Sequence, residues 1–311
     1  MNKTEKVMPS VSIALCTYNG DRFLREQLES ILNQEYENIV EIICVDDKST
    51  DKTWEILNEY AENYPIFKIF KNTTNLGFIK NYEKAIALCS KSLIAISDQD
   101  DIWYSHKISK LVDSIGDDLL IYSDNEYIDE KGKSLGVKFS DKRNLTDSTN
   151  CLNFTLFNGI SGHTVLFNKE ILNYAFPFPS NIHYDWWLVF CASQYSTIKF
   201  VSEPLVGYRQ HNSNAVGGYG VIKSDKEVMS YNILNETKVR ILFFAEKINP
   251  KLTQEKQVLE FLAQSYINRS LIMRLKRISL FWRNRDDLLL FKKRNKIRKM
   301  IYCFKAFWKY D

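Results

Sequence analysis

The sequence predicts an α/β fold in which a largely parallel β-sheet carries helices on both faces. Two observations predict it. Short apolar runs rich in Val and Ile alternate with segments of helical periodicity through the first half of the 311-residue chain. Turn residues separate these segments, and no glycine-rich, proline-rich or repeated stretch interrupts them. Alternation of this kind is typical of parallel sheets with helical crossovers.

Each predicted element follows from its own pattern. The predicted strands, all short apolar runs, are residues 11–15, 39–45, 67–70, 93–96, 119–122 and 164–167. The predicted helices, with apolar side chains at helical spacing, are residues 23–33, 79–89, 106–115 and 185–193, and a fifth that contains Trp54, Leu57, Ala61 and Tyr64. In the turn DDKST before that fifth helix, Ser49 or Thr50 is expected to cap it.

The last third of the chain has a different character. Beyond about residue 227 only helical signals remain, up to a basic end. The length allows one large domain and a small extension. We expect a main domain over residues 1–220, with the boundary marked by the glycines of AVGGYG, and a helical extension over residues 221–311.

Cysteine usage and the absence of targeting signals predict the compartment. None of the six cysteines forms a CxxC pair, so buried reduced thiols are favoured over a metal or redox site. The apolar run near the N-terminus is too short for a signal peptide and lacks a cleavage site. No stretch approaches the roughly 18 apolar residues that span a bilayer. The sequence therefore predicts a cytoplasmic protein.

Polar residues gather where the predicted strands end, and this is where ligands bind in open α/β sheets. TYN follows the first strand, DD the second and SDQDD the fourth. The residues concerned are Thr17, Tyr18, Asn19, Asp46, Asp47, Asp98, Asp100 and Asp101. One such cluster alone is compatible with a solvated turn, but three on sequential strands predict one ligand-binding crevice.

The string SDQDD predicts a metal site. It ends a buried strand, so its carboxylates lie close together, and like charges at that distance raise each other's pKa unless a cation intervenes. Oxygen ligands at this density suit Mg²⁺ or Mn²⁺ bound together with substrate phosphates. The alternative is an acidic turn that caps the helix after Trp103. Because no GxxxxGK[ST], GxGxxG or GxSxG motif occurs, a nucleotide phosphate would have to be held by metal.

Several strings together resemble a known family. TYNGDRFLREQLESILNQ, VDDKSTDKT, NLGFIKN and SDQDDIW are similar, in order and spacing, to the signatures of family 2 glycosyltransferases with the GT-A fold. The resemblance continues through NGISGHTVLFNKEIL, HYDWWL and YRQHNSNAVG and so covers about residues 9–217. SDQDDIW, GHTVLF and YRQHNSN are most similar to the branch that contains bacterial rhamnosyltransferases. The resemblance implies metal-dependent transfer of a sugar, with dTDP-L-rhamnose as the expected donor, to a growing cell-surface glycan.

The resemblance implies a nucleotide-sugar site. At the matching positions, Asp46 and Asp47 would contact the base and ribose, and Tyr18 would lie against the base. Thr17 and Asn81, the second within NLGFIKN, belong to the same expected site.

The resemblance also implies a metal site and a base. Asp100 matches the last carboxylate of the metal-binding DxD motif, and Asp98 would support the ribose or the water shell of the metal. His211 falls where such enzymes often place a late residue on the metal or pyrophosphate. Asp185 matches the general base.

The sequence departs from the family pattern at three points. Lys48 stands where glycine is common, so that turn is expected to be less tight. Tyr184 stands where many members place a second acid. The QxxRW string of processive synthases is absent, which favours transfer of a single sugar.

Physical grounds also favour Asp185 as the base. A carboxylate beside Trp186 and Trp187 is partly desolvated and therefore more basic, and aromatic faces stack on sugar rings, so both tryptophans are assigned to the acceptor. One carboxylate without a second nucleophile describes inversion. The alternative is a helix start with both tryptophans in the core. The other histidines, His163 and His183, are equally compatible with structural and functional positions.

The C-terminal segment is strongly basic. Residues 271–311 hold 13 Lys and Arg against 3 Asp and Glu, a net charge of +10. Aromatic residues are interleaved with them: Phe281, Trp282, Phe291, Tyr302, Phe304, Phe307 and Trp308. Nucleic-acid binding and a solvated helical face give similar patterns. The resemblance to glycosyltransferases, whose bacterial acceptors are commonly polyprenyl-linked oligosaccharides, favours peripheral contact of this segment with anionic membrane at the inner face of the cell membrane. No nucleic-acid partner is expected.

Two other functions were weighed against this one. A nucleotidyltransferase shares the metal, the nucleotide and a related fold, but it would need a basic glycine-rich loop where TYNGDR offers one Gly and one Arg. An inactive carbohydrate-binding protein is disfavoured by intact Asp98, Asp100 and Asp185.

Overall fold

A mixed nine-stranded sheet forms the centre of the molecule. The computed structural model describes residues 8–211, 226–268 and 270–305. The strands are β1 (Val11–Thr17), β2 (Ile39–Asp46), β3 (Phe67–Lys71), β4 (Leu93–Ser97), β5 (Ile102–Trp103), β6 (Leu120–Ile128), β7 (Ser134–Lys138), β8 (Val165–Asn168) and β9 (Ile198–Arg209). Their order is β3-β2-β1-β4-β8-β6-β9-β5, with β7 paired to β6. The first four strands in this order are all parallel, whereas β8 is antiparallel to both β4 and β6.

Helices cover both faces of this sheet. They are α1 (Leu24–Leu32), α2 (Thr53–Asn63), α3 (Phe78–Leu88), α4 (Lys107–Ile115), α5 (Leu172–Ala175), α6 (Tyr184–Ala192), α7 (Lys226–Lys247), α8 (Thr253–Ile267), α9 (Leu271–Arg283), α10 (Arg285–Leu288) and α11 (Lys296–Lys305). The predicted α/β fold is confirmed, and the predicted elements of the first half end within a few residues of the observed ones, apart from β6, which runs six residues further.

The alternation of strand side chains creates two cores. In β1, Ile13 and Leu15 face a cluster with α1, α2 and α4, while Ala14 and Cys16 face a cluster with α3 and α6. Both sides of the strand are thus buried, which explains why its sequence is a continuous apolar run rather than an alternating one. Each fully buried Ile or Leu contributes about 1.5–3 kcal/mol relative to exposure.

The C-terminal helices complete the second of these cores. Phe244 of α7 stacks on Phe190 of α6 at 3.7 Å between ring centroids. Phe291 lies 5.2 Å from Phe154, and a Cβ on Gly159 would stand 2.2 Å from the Phe291 ring. Phe281 and Tyr302 are buried in the same cluster.

This packing corrects one sequence expectation. Phe281, Phe291 and Tyr302 were expected at a membrane surface, but all three are buried in the protein. Phe307 and Trp308, like the AVGGYG boundary near residue 220, lie outside the described residues. No helix in the described ranges is both long and apolar enough to cross a membrane. The six cysteines are all buried free thiols, as expected.

Strand β9 was not predicted. Its sequence contains Pro204 and Gly207, which interrupt the strand pattern. In the structure β9 pairs with β6 through register shifts around Asp124, where Pro204 stands opposite. The irregular pairing accommodates the proline, and the strand delivers Arg209 and His211 to the edge of the sheet where β1, β2 and β4 end.

Candidate active site at the carboxyl edge of the sheet

Strands β1, β2 and β4 end side by side because they are parallel neighbours. Thr17, the last residue of β1, pairs with Asp46, the last residue of β2, and donates from Oγ1 to Asp46 Oδ1 at 3.0 Å. The polar loops that follow these three strands therefore meet at one edge, as the sequence predicted.

The turn after β2 is built around Asp46. Its Oδ2 accepts from the Ser49 N–H at 3.0 Å, and its Oδ1 accepts from the Ser49 hydroxyl. Ser49 therefore closes the turn instead of capping α2, which begins at Thr53 with the Thr53 N–H donating to Asp51 Oδ1 at 2.9 Å. Lys48 adopts φ +65°, the left-handed conformation that glycine takes without strain, so the turn is tight despite the lysine.

Asp47 holds the loop before α3. Its Oδ1 accepts from the Leu76 N–H at 2.8 Å, and its Oδ2 accepts from the Gly77 N–H at 2.9 Å. Asn72 donates to both Asp47 and Asn81 at 2.8 Å, and Asn81 donates to the Val45 carbonyl at 2.9 Å. Asp47 and Asn81 are buried and hold the backbone of this loop and of β2, so neither side chain is directed to solvent.

Gln99 joins the loops after β1 and β4. Its side-chain oxygen accepts from the Tyr18 N–H at 2.9 Å, and its amide nitrogen donates to the Tyr18 carbonyl at 3.1 Å. A Cβ on Gly20 would stand 2.1 Å from the Gln99 oxygen, so glycine is needed there for this approach. The Tyr18 backbone is fixed while its side chain stays half exposed at the edge of the crevice.

Asp98 is partly exposed and held from two sides. Its Oδ1 accepts from the Tyr82 hydroxyl, and its Oδ2 lies 3.2 Å from Nδ1 of His163. Burial opposes ionisation of Asp98, but the hydrogen bond and charge of His163 outweigh it and lower the pKa of this carboxyl. Asp98 is therefore ionised at neutral pH.

Behind Asp98 lies a buried network of charged groups. Oδ2 of Asp101 is 3.5 Å from His163 Nδ1 and has no hydrogen-bond partner among the described residues. Burial, with the charges of Asp100 and Asp98, raises the pKa of Asp101 to about 7. Burial alone would lower the pKa of His163, but Asp101 and Asp98 raise it above its usual value. His163 is a shared cation between two carboxylates.

Lys107 is a fourth charged group in this network. Its Nζ donates to the His163 carbonyl at 2.7 Å and lies 3.3 Å from the centroid of the Trp103 ring. Burial lowers the pKa of Lys107 well below its usual value, while Asp101 and Asp98 act in the opposite direction. Because α4 begins at Lys107 without a side-chain cap, SDQDD does not serve as a helix-capping turn.

Asp100 and His211 form a second pair. Nε2 of His211 lies 2.9 Å from Oδ2 of Asp100, and the His211 ring packs 4.9 Å from the ring of Phe23. Arg209 fixes this arrangement by donating to the Asp100 carbonyl at 2.8 Å and to Glu26 at 2.7 Å. Residues distant in sequence thus bring together a carboxylate and an imidazole, two side-chain types that can ligate a metal.

Asp185 lies in the first turn of α6. Its Oδ1 accepts from the Trp186 N–H at 2.6 Å. Burial raises the pKa of Asp185; the charge of His183 opposes this rise, and the charge of Asp98 adds to it. The charge of Asp98, which follows β4, therefore acts on Asp185.

Comparison with known proteins identifies the family. A family model described as Glycosyl transferase family 2 matches residues 12–175, more than half of the chain. The chain belongs to glycosyltransferase family 2. It is a glycosyltransferase, as the resemblance implied, and the matched region includes the loops after β1, β2 and β4.

Two curated relatives and one solved structure are similar to this chain. The dTDP-rhamnosyl transferase RfbG of Shigella flexneri is 31% identical over 220 residues, which cover 65% of this chain and 73% of the relative. The Escherichia coli UDP-Glc:alpha-D-GlcNAc-diphosphoundecaprenol beta-1,3-glucosyltransferase WfaP is 30% identical over 182 residues, 58% of this chain and 70% of the relative. S. aureus TarS in complex with UDP-GlcNAc has a TM-score of 0.57 and 16% identity over 97% of this chain and 89% of that chain, which shows the expected GT-A fold.

The two tryptophans beside Asp185 are placed differently from the expectation. Trp187 is buried against α7, and its indole N–H donates to the Ala175 carbonyl at 2.7 Å. The indole N–H of Trp186 donates to the Phe154 carbonyl at 2.6 Å, and the Arg240 guanidinium lies 3.6 Å from the centroid of the Trp186 ring. The buried ring of Trp187 serves packing, which corrects its assignment to the acceptor; Trp186 is partly exposed, and its assignment stays a prediction.

Several residues of the glycosyltransferase site were missed or left open by sequence reasoning. Gln99 and Asp101 lie within SDQDD, and Arg209 lies within YRQHNSN, so the strings were found but these supporting roles were not. His163 was left open because a single histidine carries no spacing signal. The sequence indicates only that Lys107 belongs to a helix. A lysine on the buried side of an amphipathic helix nevertheless indicates a buried charge with a partner.

Proposed function

We propose that this glycosyltransferase transfers one sugar with inversion from a nucleotide-sugar to a growing cell-surface glycan, and that the donor is dTDP-L-rhamnose. The pair formed by Asp100 and His211 carries the proposal, together with Asp98, whose charge acts on the pKa of Asp185. The similarity to a relative named as a dTDP-rhamnosyl transferase supports the donor. A relative named for a diphosphoundecaprenol-linked acceptor supports a polyprenyl-linked acceptor.

The residues fit a divalent ion, Mn²⁺ or Mg²⁺. Adjacent ligands of an octahedral ion at about 2.1 Å lie about 3.0 Å from each other, which agrees with the 2.9 Å between Asp100 Oδ2 and His211 Nε2. These two side chains would hold the ion, with Asp98 on its water shell. Bound there, a divalent ion neutralises the charge that develops on the diphosphate leaving group.

Asp98, Asp101 and His163 also group three side chains of metal-ligating type. Against the effect of burial, Asp101 and Asp98 raise the pKa of His163, which favours a cationic ring between the two carboxylates. Asp101 is fully buried, whereas the side chain of Asp100 is 18% exposed, so Asp100 is the carboxylate better placed for an ion shared with a substrate. We therefore assign this group a structural role, in which His163 holds Asp98 by a hydrogen bond at 3.2 Å.

The nucleotide is proposed to lie over the edge between β1 and β2. Tyr18 packs its exposed ring against the base, and the Thr17–Asp46 hydrogen bond sets the end of both strands. Asp47 and Asn81 act by holding the loop that closes this side. Asp98 is ionised and available to the ribose.

Asp185 is the proposed base. Only one of its oxygens receives a hydrogen bond within the described part of the chain, and its raised pKa makes it a stronger proton acceptor than an exposed aspartate. It would take the proton from the acceptor hydroxyl as that oxygen attacks the anomeric carbon. With one carboxylate on the acceptor side, a single displacement inverts the configuration.

The domain assignment remains part of the proposal. Residues 1–220 would form the catalytic domain and residues 221–311 a helical extension that packs on it. The enzyme would act in the cytoplasm at the inner face of the cell membrane, where a polyprenyl-linked acceptor is accessible. A nucleotidyltransferase or an inactive carbohydrate-binding protein is not favoured, since the family match and relatives are glycosyltransferases.

A donor screen tests the proposal. Thermal stabilisation of the enzyme is measured with dTDP-rhamnose, UDP-glucose, UDP-GlcNAc and a GDP-sugar, each with Mn²⁺, with Mg²⁺ and with a chelator. We expect the largest shift with dTDP-rhamnose and loss of that shift with the chelator, because only the folded state binds donor. A larger increase in melting temperature with a UDP-sugar would show that the donor is not dTDP-rhamnose. Equal increases with metal and with the chelator would show that donor binding does not need a metal.

Asp100→Asn tests the metal site. The substitution keeps the side-chain volume but removes the charge that an ion needs, so Mn²⁺-dependent donor binding should be lost while the melting temperature without ligand changes little. Calorimetric titration of donor with and without metal measures this. Asp113→Asn is a control outside the site. Donor titrations of Asp100→Asn that match the unsubstituted enzyme would place the metal elsewhere.

Asp185→Asn tests the base. Donor binding should be nearly normal, whereas transfer should fall by at least about 10²-fold, the usual contribution of a positioned base. Turnover is measured with saturating donor and a lipid-linked acceptor. A decrease of less than tenfold would assign the base to another residue.

A further inference from the structure

Helix α9 has an apolar stripe on the side away from the core. Arg277 and Phe281 are its buried residues and face the protein. Four exposed apolar side chains lie on the other side at helical spacing: Leu271, Ile272, Leu275 and Trp282. Leu271 and Ile272 are each 65% exposed, which is unusual for large aliphatic side chains of a packed helix.

Helix α11 repeats this arrangement. Its buried residues are Tyr302 and Cys303. The exposed residues Ile297, Met300, Ile301 and Phe304 follow the spacing i, i+3, i+4, i+7 and form one stripe. Ile297 is 67% exposed and Phe304 is 56% exposed.

The two stripes are continuous with each other. The rings of Trp282 and Phe304 lie 5.9 Å from each other between centroids, so the stripes meet where α9 packs on α11. We call the eight exposed side chains of the two helices the apolar face. A contiguous exposed apolar surface of this kind marks an interaction site.

Basic residues surround the apolar face. They are Lys276, Arg283, Lys296, Arg298 and Lys305, all exposed. In the same stretch, residues 271–305, the acidic residues are Asp286 and Asp287. The combination of apolar side chains with flanking Lys and Arg matches an anionic lipid leaflet, in which acyl chains meet phosphate headgroups.

We propose that the apolar face and its basic surroundings dock this enzyme on an anionic membrane leaflet. A second copy of the chain is disfavoured as the occupant, because a twofold-symmetric contact would bring the basic residues of both copies together. The aliphatic side chains enter the boundary between headgroups and acyl chains, and the long Lys and Arg side chains reach the phosphates. The inference deepens the proposed function and rests on it for the lipid-linked acceptor, but vesicle binding does not require transfer.

Vesicle flotation of the full chain tests the inference. Vesicles of phosphatidylcholine alone are compared with vesicles containing phosphatidylglycerol, at low and high salt. Binding should increase with phosphatidylglycerol and weaken with salt, since the screening length falls from about 10 Å at 0.1 M to about 3 Å at 1 M. Failure of the unsubstituted enzyme to float with anionic vesicles at low salt would overturn the inference.

Two substitutions examine the apolar face itself. Leu275→Glu and Ile301→Glu should each reduce vesicle partitioning by about tenfold or more, because a buried aliphatic side chain is lost and a like charge is added. Leu88→Glu is the matched control, since Leu88 is an exposed leucine at the end of α3 and lies outside the face. Deletion of residues 271–311 is unsuitable because it removes buried core residues.

Separate readouts distinguish the possible failures. Each variant must keep the melting temperature and the donor-induced shift of the unsubstituted enzyme, and Leu275→Ser replaces any variant that does not. Normal partitioning of both Glu variants would show that the face is not the contact. A concentration-dependent dimer in light scattering that Leu275→Glu abolishes, without vesicle binding, would assign the face to a second copy. Loss of donor binding with intact flotation would contradict the proposed function and leave this inference standing.

Discussion

His163→Leu is expected to destabilise the enzyme strongly because it removes a buried shared cation. In the structure, His163 lies 3.2 Å from Asp98 and 3.5 Å from Asp101, and Asp101 Oδ2 has no other polar partner among the described residues. Leucine fills a similar volume but leaves two carboxylates facing each other without a donor. Removing one partner of a buried ion pair typically costs about 3–5 kcal/mol.

The expected decrease can be measured by thermal and urea unfolding. For a chain of this length about 3–5 kcal/mol corresponds to a decrease in Tm on the order of 5–10 °C. The effect should depend on pH in a defined direction. Because the pKa of His163 is raised in the folded state, its contribution is fully present below the unfolded pKa and is lost as pH rises through the folded pKa. The difference between enzyme and variant should therefore be larger at pH 6 than at pH 9.

A double-mutant cycle isolates the interaction. Asp101→Asn alone should cost much less stability than His163→Leu, since the pKa of about 7 leaves Asp101 only about half ionised near pH 7. Combined with His163→Leu, it should recover at least about half of the loss, because one of the two opposed charges is gone. A coupling energy below about 0.5 kcal/mol would refute the shared cation, as it is the size seen for independent sites.

Two further predictions concern the turn and the distant edge of the sheet. Lys48→Gly should stabilise the enzyme by about 0.5–1 kcal/mol, because glycine adopts the observed φ of +65° without strain; a higher urea midpoint at unchanged slope supports this and a lower midpoint contradicts it. Burial opposes ionisation of Glu41, but hydrogen bonds from Lys68, Ser12 and the Ser90 N–H lower its pKa to about 2. The contribution of Glu41 to the free energy of unfolding is therefore present above the unfolded pKa near 4.5 and is lost as pH falls towards 2. Glu41→Gln should therefore cost about 2–3 kcal/mol at pH 7 and much less at pH 2.5, and equal losses at both values in urea unfolding would count against it.

The elements of the first half were predictable because periodicity alone determines them. Val11 to Leu15 is apolar on both faces, and α1 places Leu24, Leu28 and Ile31 on one side. Strand β9 was missed because Pro204 removes the strand signal, and only its neighbour β6 shows why the proline is tolerated. Pairing between distant strands is not visible in local sequence.

The position of the site was predictable, but the direction of its side chains was not. Strand ends locate Asp46, Asp47 and Asp98, since parallel strands finish at one edge. Whether Asp47 faces a ligand or the backbone of Leu76 depends on a loop that arrives from elsewhere in the chain. For the same reason the sequence did not distinguish a Trp187 that faces an acceptor from one that packs on α7.

The shared core of sheet and C-terminal helices has a consequence for synthesis on the ribosome. Phe154 and Gly159 pack against Phe291 in the folded protein. At a synthesis rate of about 5–20 residues per second, Phe291 leaves the ribosome on the order of 10 s after they do. During this interval Phe190 and Trp187 of α6 lack their aromatic partners on α7. The nascent chain is therefore most exposed to aggregation and to chaperone binding before its last helices emerge.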